Sequence, residues 1–137
     1  MSLLLYRRGV GLLADAVLVV HALFVAWAAL GALAVWRWHW LAALHLPALA
    51  WAVWIETSGG VCPLTPLENS LRRSAGQAGY SGGFIDHYIG GLLYPDGLTR
   101  HTQWVIAGVL VVFNLVVYGL MVRGWAGRRR AGVRARP

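Results

Sequence analysis

The stretch ETSGGVCPLTPLENSLRRSAGQAGYSGGFIDHYIGGLLYP, Glu56 to Pro95, decides how this chain is read. It holds the one cysteine and three of the five acids, and it is rich in glycine. Long apolar runs with almost no charge lie on both sides of it. A polar insert between lipid-soluble segments marks a capped membrane protein rather than a single soluble core. The composition agrees: the 137 residues are 58% hydrophobic and 12% charged, against roughly a quarter charged in a soluble domain. A lone cysteine allows no intrachain disulfide.

Toward the N-terminus, residues 41–56 form one apolar segment, with Pro47 inside it as an expected kink. Before it stands Trp36-Arg37-Trp38-His39-Trp40, an aromatic turn of the kind found at headgroup level. Residues 9–36 form a longer apolar segment after Arg7-Arg8. It exceeds the core of a signal peptide, about 7–15 residues, so it is read as an uncleaved span. Beyond the insert, residues 103–123 are rich in Val and Leu, with Asn114 at the centre. Asn114 is expected to bond a neighbouring helix. A span needs roughly 20 apolar residues, and no heptad seam or internal repeat is visible in any segment.

The reading is therefore an all-α membrane protein. Three transmembrane helices are expected, with two short interfacial or re-entrant helices forming a polar cap, residues 57–100, between spans two and three. Residues 1–127 make a single integral membrane domain, and 128–137 a basic disordered tail. Within the cap, Thr65-Pro66-Leu67-Glu68 carries the signals of a helix start, with Thr65 as the cap and Glu68 reaching back to its amide. That helix should run to Ala75 and stop at Gly76. Glu68 and Arg72 are four apart and can pair on one face, for a few tenths of a kcal/mol if exposed. A second short helix is expected over Gly83–Leu93, too short to cross a bilayer. On a helical path Tyr80, His87 and Tyr94 would share one face.

Several of these runs resemble a known family. The CPLTPLEN run (Cys62–Asn69), Leu71-Arg72, Gly79-Tyr80, Gly82-Gly83-Phe84-Ile85, His87-Tyr88 and Tyr94-Pro95 are similar to the bacterial membrane-protein family catalogued as domain of unknown function 2784. Ala14-Asp15, His21, His45-Leu46-Pro47 and Glu56 are similar to it as well. The resemblance runs from about Leu12 to Tyr118. It implies a small multi-span bacterial protein and hands over no catalytic residue.

Helix rise alone places the polar residues in depth. From the turn at Arg37–His39, His21 lies roughly 25 Å along the first span and Glu56 roughly 27 Å along the second. An antiparallel hairpin brings them level. Asp15, His21, Glu56, Cys62, Glu68, Arg72, Tyr80, His87 and Tyr94 are thus expected to converge at one end. His45 sits only about 10 Å from the turn, which disfavours a haem held between His21 and His45.

Two functions compete. In the first the protein is non-enzymatic: Glu56 pairs with Arg72 or Arg73, His21 or Asp15 holds a backbone group of the insert, and the cap offers a surface to a partner. In the second, His21, Glu56 and His87 line a site for a metal or small ligand, with an enzyme as one form of it. No cofactor is predicted under the first, and a metal is the alternative under the second. The ligand spacing matches no known metal motif.

The net charge of +7 comes from twelve arginines, six of them from Arg123 onward. Arg128, Arg129 and Arg130 are expected to meet anionic lipid headgroups on the cytoplasmic side. Nucleic acid is not an expected partner, because no soluble basic face accompanies the tail. A second copy of the chain or another protein is the expected partner besides lipid. Counting arginines favours four spans, whereas hydrophobic length favours three, and length is preferred because a span must satisfy its charges in hydrocarbon. The expected location is the bacterial inner membrane, multi-pass, with a cytoplasmic C-terminus.

Overall fold

The computed structural model describes residues 2–90 and 99–134. Among these there is no strand, and four helices carry the fold: α1 (Ser2–Arg37), α2 (Ala42–Ser58), α3 (Leu64–Ser74) and α4 (Arg100–Arg134). A 3₁₀ turn at His39–Leu41 reverses the chain between α1 and α2. A short helical passage over residues 84–90 includes a π turn, Asp86–Gly90. Helix α1 packs against α2, α3 and α4, and α2 packs against α4. Two of these helices, α1 and the Arg100–Arg128 part of α4, are long and apolar enough to cross a membrane.

α1 is apolar on all sides, so nothing in its sequence marks an inner face. The structure selects one. Ala14, His21, Ala28 and Val35, seven residues apart, are buried, with Gly11, Gly31 and Ala32 beside them. On α4, Ala107, Asn114 and Met121 are buried at the same interval, together with Val117. The expectation of no heptad seam is thus corrected. Its physical reason is that the seam is made of small residues rather than large ones. Where the outer face is as apolar as the inner, small side chains decide which faces can approach closely. Large apolar residues point outward instead, including Leu12, Val109 and Leu115.

Near the turn the helices are joined by a buried polar contact. His45 on α2 is fully buried. Its Nε2 donates to the Ala28 carbonyl of α1 at 3.3 Å, which leaves Nδ1 to accept from the Tyr118 hydroxyl of α4 at 2.8 Å. The Trp27 ring meets it edge-on at 5.6 Å. Gly31 makes room: a Cβ there would run into the His45 ring. Asn114 makes the expected link to a neighbouring helix. Its Nδ2 donates to Leu110 O at 2.9 Å and approaches Ala29 O of α1 at 3.5 Å.

Two other expectations change. α4 continues to Arg134, where a disordered tail was expected from residue 128. Alanine and arginine are good helix formers and no proline intervenes before Pro137. The side chains of Arg129 and Arg130 and the whole of Tyr94 lie outside the described residues. The cap helix begins at Leu64, with Pro63 and not Thr65 in the capping position and no side-chain cap bond. Pro63 already has helical φ of −56°, so the helix starts before Thr65, whose side chain is buried. The stop is as expected: Ala75 ends α3, and Gly76 follows at φ 78°.

Gly31→Val should lower the melting temperature in detergent, at a cost of about 1–3 kcal/mol from overpacking against His45. Gly108 has open space around it, so Gly108→Ala should be neutral or stabilising. Equal melting of Gly31→Val and the parent chain would show that the His45 seat does not hold the helices together.

Candidate functional site

At the end opposite the turn, α3 and residues 77–90 form a lid on α1, organised by Glu68. Glu68 is completely buried. Its Oε1 accepts from Arg72 Nε at 2.8 Å and from the Tyr88 hydroxyl at 3.0 Å. Its Oε2 accepts from the Tyr80 hydroxyl at 2.9 Å. The next residue, Asn69, grips the Tyr80 backbone from both sides: Nδ2 donates to Tyr80 O and Oδ1 accepts from Tyr80 N, each at 2.9 Å. One helical turn thus fixes the returning chain by side chain and backbone together.

The expected Glu68–Arg72 pair is present, and its carboxylate is buried. Burial changes its energetic meaning. An exposed pair contributes a few tenths of a kcal/mol, whereas removing one partner of a buried pair costs about 3–5 kcal/mol. Nor does Glu68 reach back to the helix start, because both its oxygens are taken by Arg72 and the two phenols.

The lid packs along α1, and two of its contacts bear on the site. Phe84 lies on the His21 ring with centroids 4.2 Å apart. Arg72 Nη2 stands 3.7 Å from Asp15 Oδ1, a contact at the solvent rim. Tyr80 and His87 are stacked nearly parallel at 4.0 Å. Tyr80 is not on a helix, so this pairing comes from a fold-back of the chain and not from the shared helical face that was expected. His87 is exposed and takes no part in a site with His21 and Glu56. Among the described residues no three His, Cys, Asp or Glu side chains gather at metal-holding distances.

Beneath the lid is a cavity of about 450 Å³. Its wall includes His21 and Phe24 from α1, Trp51 and Glu56 from α2, Phe84 from the lid and Gln103 from α4. Cys62 and Asp86 also border it. Glu56 pairs with neither Arg72 nor Arg73, contrary to expectation: Arg72 is drawn to Glu68 inside the lid. The cation at the mouth of α2 is Arg100. Its Nη2 donates to Thr57 O and its Nη1 to Gln103 Oε1, both at 2.9 Å. It lies over Gly59, which ends α2 in the left-handed region at φ 69° and has no side chain to obstruct it. Among the described residues, Glu56 Oε2 and His21 Nδ1 are buried without a hydrogen-bond partner.

The structure therefore divides the nine residues expected to converge. Glu68, Arg72, Tyr80 and His87 are grouped in the lid, and Asp15 touches it from α1. His21, Glu56 and Cys62 border the cavity. Tyr94 is outside the described residues. Sequence reasoning missed Tyr88, Asn69, Phe84 and Arg100. Tyr88 follows His87 directly, but the π turn that orients it leaves no periodic signal in the sequence.

The lid also shapes its own titration. Burial, then the Glu68 bond, raises the Tyr80 and Tyr88 hydroxyls above the ordinary tyrosine range. The Glu68 bond raises the Arg72 guanidinium above its ordinary value. A family model described as Protein of Unknown function (DUF2784) matches residues 11–119, in keeping with the resemblance drawn from the CPLTPLEN run and its companions. No curated protein and no solved structure matches the chain.

Raised phenol values favour the neutral form in the folded state. Their stabilisation is full below the ordinary tyrosine value of about 10 and is lost as pH climbs above it. An ultraviolet titration should show a late-ionising tyrosine fraction that shrinks in Tyr80→Phe and again in Tyr88→Phe. Ordinary titration of every tyrosine in the folded protein would contradict the buried Glu68 network.

Proposed function

We propose, for a chain that belongs to the DUF2784 family of proteins of unknown function, a non-enzymatic role in the membrane. In this reading it is a three-span protein whose polar lid is fastened over one end and offers a surface to a partner. The observation that carries the reading is Glu68: a carboxylate with no solvent exposure, held by donors from three points of the lid. Such an arrangement fixes a cap in place. Both oxygens of that carboxylate are engaged by the lid itself.

The membrane part of the reading is supported by the outward-facing residues. Leu12, Leu23, Val109, Val112 and Leu115 are all exposed, and a water-soluble monomer rarely leaves apolar surface of that extent uncovered. α1 and α4 serve as two spans. The third is α2 together with the 3₁₀ turn, residues 39–58, which just meets the length a bilayer core demands. Trp36, Trp38 and Trp40 are exposed around the turn, and Trp125 of α4 meets His39 there at 4.2 Å. Aromatic residues at one level suit an interface. Arg37, Arg123 and Arg128 share that end, so it is assigned to the cytoplasm of a bacterial inner membrane, and the basic run Arg128, Arg129 and Arg130 is assigned to anionic headgroups. The lid then faces the periplasm. Its outer side exposes Leu67 and His87 to a second copy or another protein.

The cavity favours a second reading, in which the lid covers a small-ligand site. Its volume, about 450 Å³, falls within the usual range for such sites.

Glu68→Ala should destabilise the protein by about 3–5 kcal/mol, since it removes the buried acceptor shared by Arg72 Nε and the two phenols. Limited proteolysis should then cut between Ser74 and Gly90 while α1 and α4 stay intact. Reporter fusions should give a cytoplasmic signal at the C-terminus only. An unchanged cleavage pattern in Glu68→Ala would refute the fastened lid, and a cytoplasmic signal from both termini would refute three spans.

A further inference from the structure

We propose that the cavity beneath the lid binds a lipophilic organic cation, an ammonium group on an apolar body, with Glu56 as its counter-ion and His21 as a second acceptor. The proposal rests on the reading of the lid as the cover of a membrane-embedded ligand site, and it names the ligand's chemistry.

The wall chooses among ligand classes by charge. Its charged residues, among those described, are Glu56 and Asp86, and no arginine stands among them. Arg100, whose charge reaches Glu56 from behind Gly59, already donates to Thr57 O and Gln103 Oε1 and makes no hydrogen bond to Glu56 Oε2. An anion would therefore meet the Glu56 carboxylate, with no cation among the described residues of the wall itself. A neutral apolar molecule would fill the space but leave Glu56 Oε2 as it stands, buried and without a partner among the described residues. An unpaired buried carboxylate oxygen is costly, and a charged donor relieves that cost best.

The second orphaned atom fits the same head group. His21 is 2% exposed, and its Nδ1 has no partner among the described residues. A neutral imidazole can accept at that nitrogen, while an ammonium brings three donors. The rest of the wall suits an apolar body bearing a positive charge. Phe24, Trp51 and Phe84 present aromatic rings, whose faces attract cations when water is excluded. The floor, Ala28 and Ala29, is small and apolar. Access follows from the position of the chamber under a lid at one membrane surface, where an amphiphile already concentrates.

The test uses the full chain in an uncharged detergent, with three ten-carbon probes: decylammonium, decan-1-ol and decanoate. Native mass spectrometry counts bound molecules, and thermal melting follows the same samples. Decylammonium should bind saturably, one per chain, at least about tenfold tighter than decan-1-ol, as one charge-assisted hydrogen bond allows. Glu56→Gln should remove that preference. Ala52→Phe, which fills the chamber from α2, should abolish binding of both. Binding of decanoate or decan-1-ol as tight as that of decylammonium overturns the proposal, as does undiminished decylammonium binding to Glu56→Gln. If Glu56→Gln does not fold, the Ala52→Phe result decides: retained decylammonium binding overturns the site. A lid that stays protease-resistant on a chain that binds no amine defeats this inference alone. A lid that is protease-labile in the parent chain defeats the reading beneath it.

Discussion

A carboxylate hidden from water sets the terms for one end of this protein. Glu68 has no solvent to turn to, so its oxygens must be satisfied by the chain itself. Arg72 supplies a charged donor from the next turn of the same helix. The other two donors, Tyr80 and Tyr88, lie in a segment that must fold back over α3 to reach it. Asn69 secures the same segment through its backbone. The lid is therefore built around a polar centre, with Phe84 against His21 as its apolar contact with α1.

The opposite end uses a second buried polar residue. His45 joins α1, α2 and α4 where their small residues permit close approach. Ala28 links the two halves. Its carbonyl receives His45, and the same residue forms part of the cavity floor. Between the two polar joints the helices meet through alanine, glycine and valine. Small side chains bring helices close but fill little volume. A chamber remains where the lid, rather than a fourth long helix, closes the bundle.

Much of the fold was legible from residue order. Runs of apolar residues gave the long helices, Gly76 ended the lid helix, and helix rise placed His21 and Glu56 at one level, where they border one cavity. The errors share a cause. Thr65 was read as a helix cap from a local pattern, but Pro63 had already started the helix. Glu56 was paired with Arg72 because both were charged and at similar depth. Arg72 instead found an acid four residues away on its own helix. Tyr88 was given no role, because a π turn shifts side-chain direction without altering composition. The inner face of α1 was hidden because its seam is marked by small size, in a helix apolar all round.

The residue order by itself determined an all-helical chain, the glycine that ends the lid helix, and the common level of His21 and Glu56. These follow from local quantities: hydropathy, the restricted angles of proline and glycine, and a constant rise per residue. Only the tertiary structure decided which donor satisfies which acceptor, which face of α1 turns inward, and that Glu56 and His21 border a shared chamber. Those outcomes depend on burial, which strengthens each polar contact and penalises each missing one. Burial is a property of the assembled helices and of no single stretch of the chain.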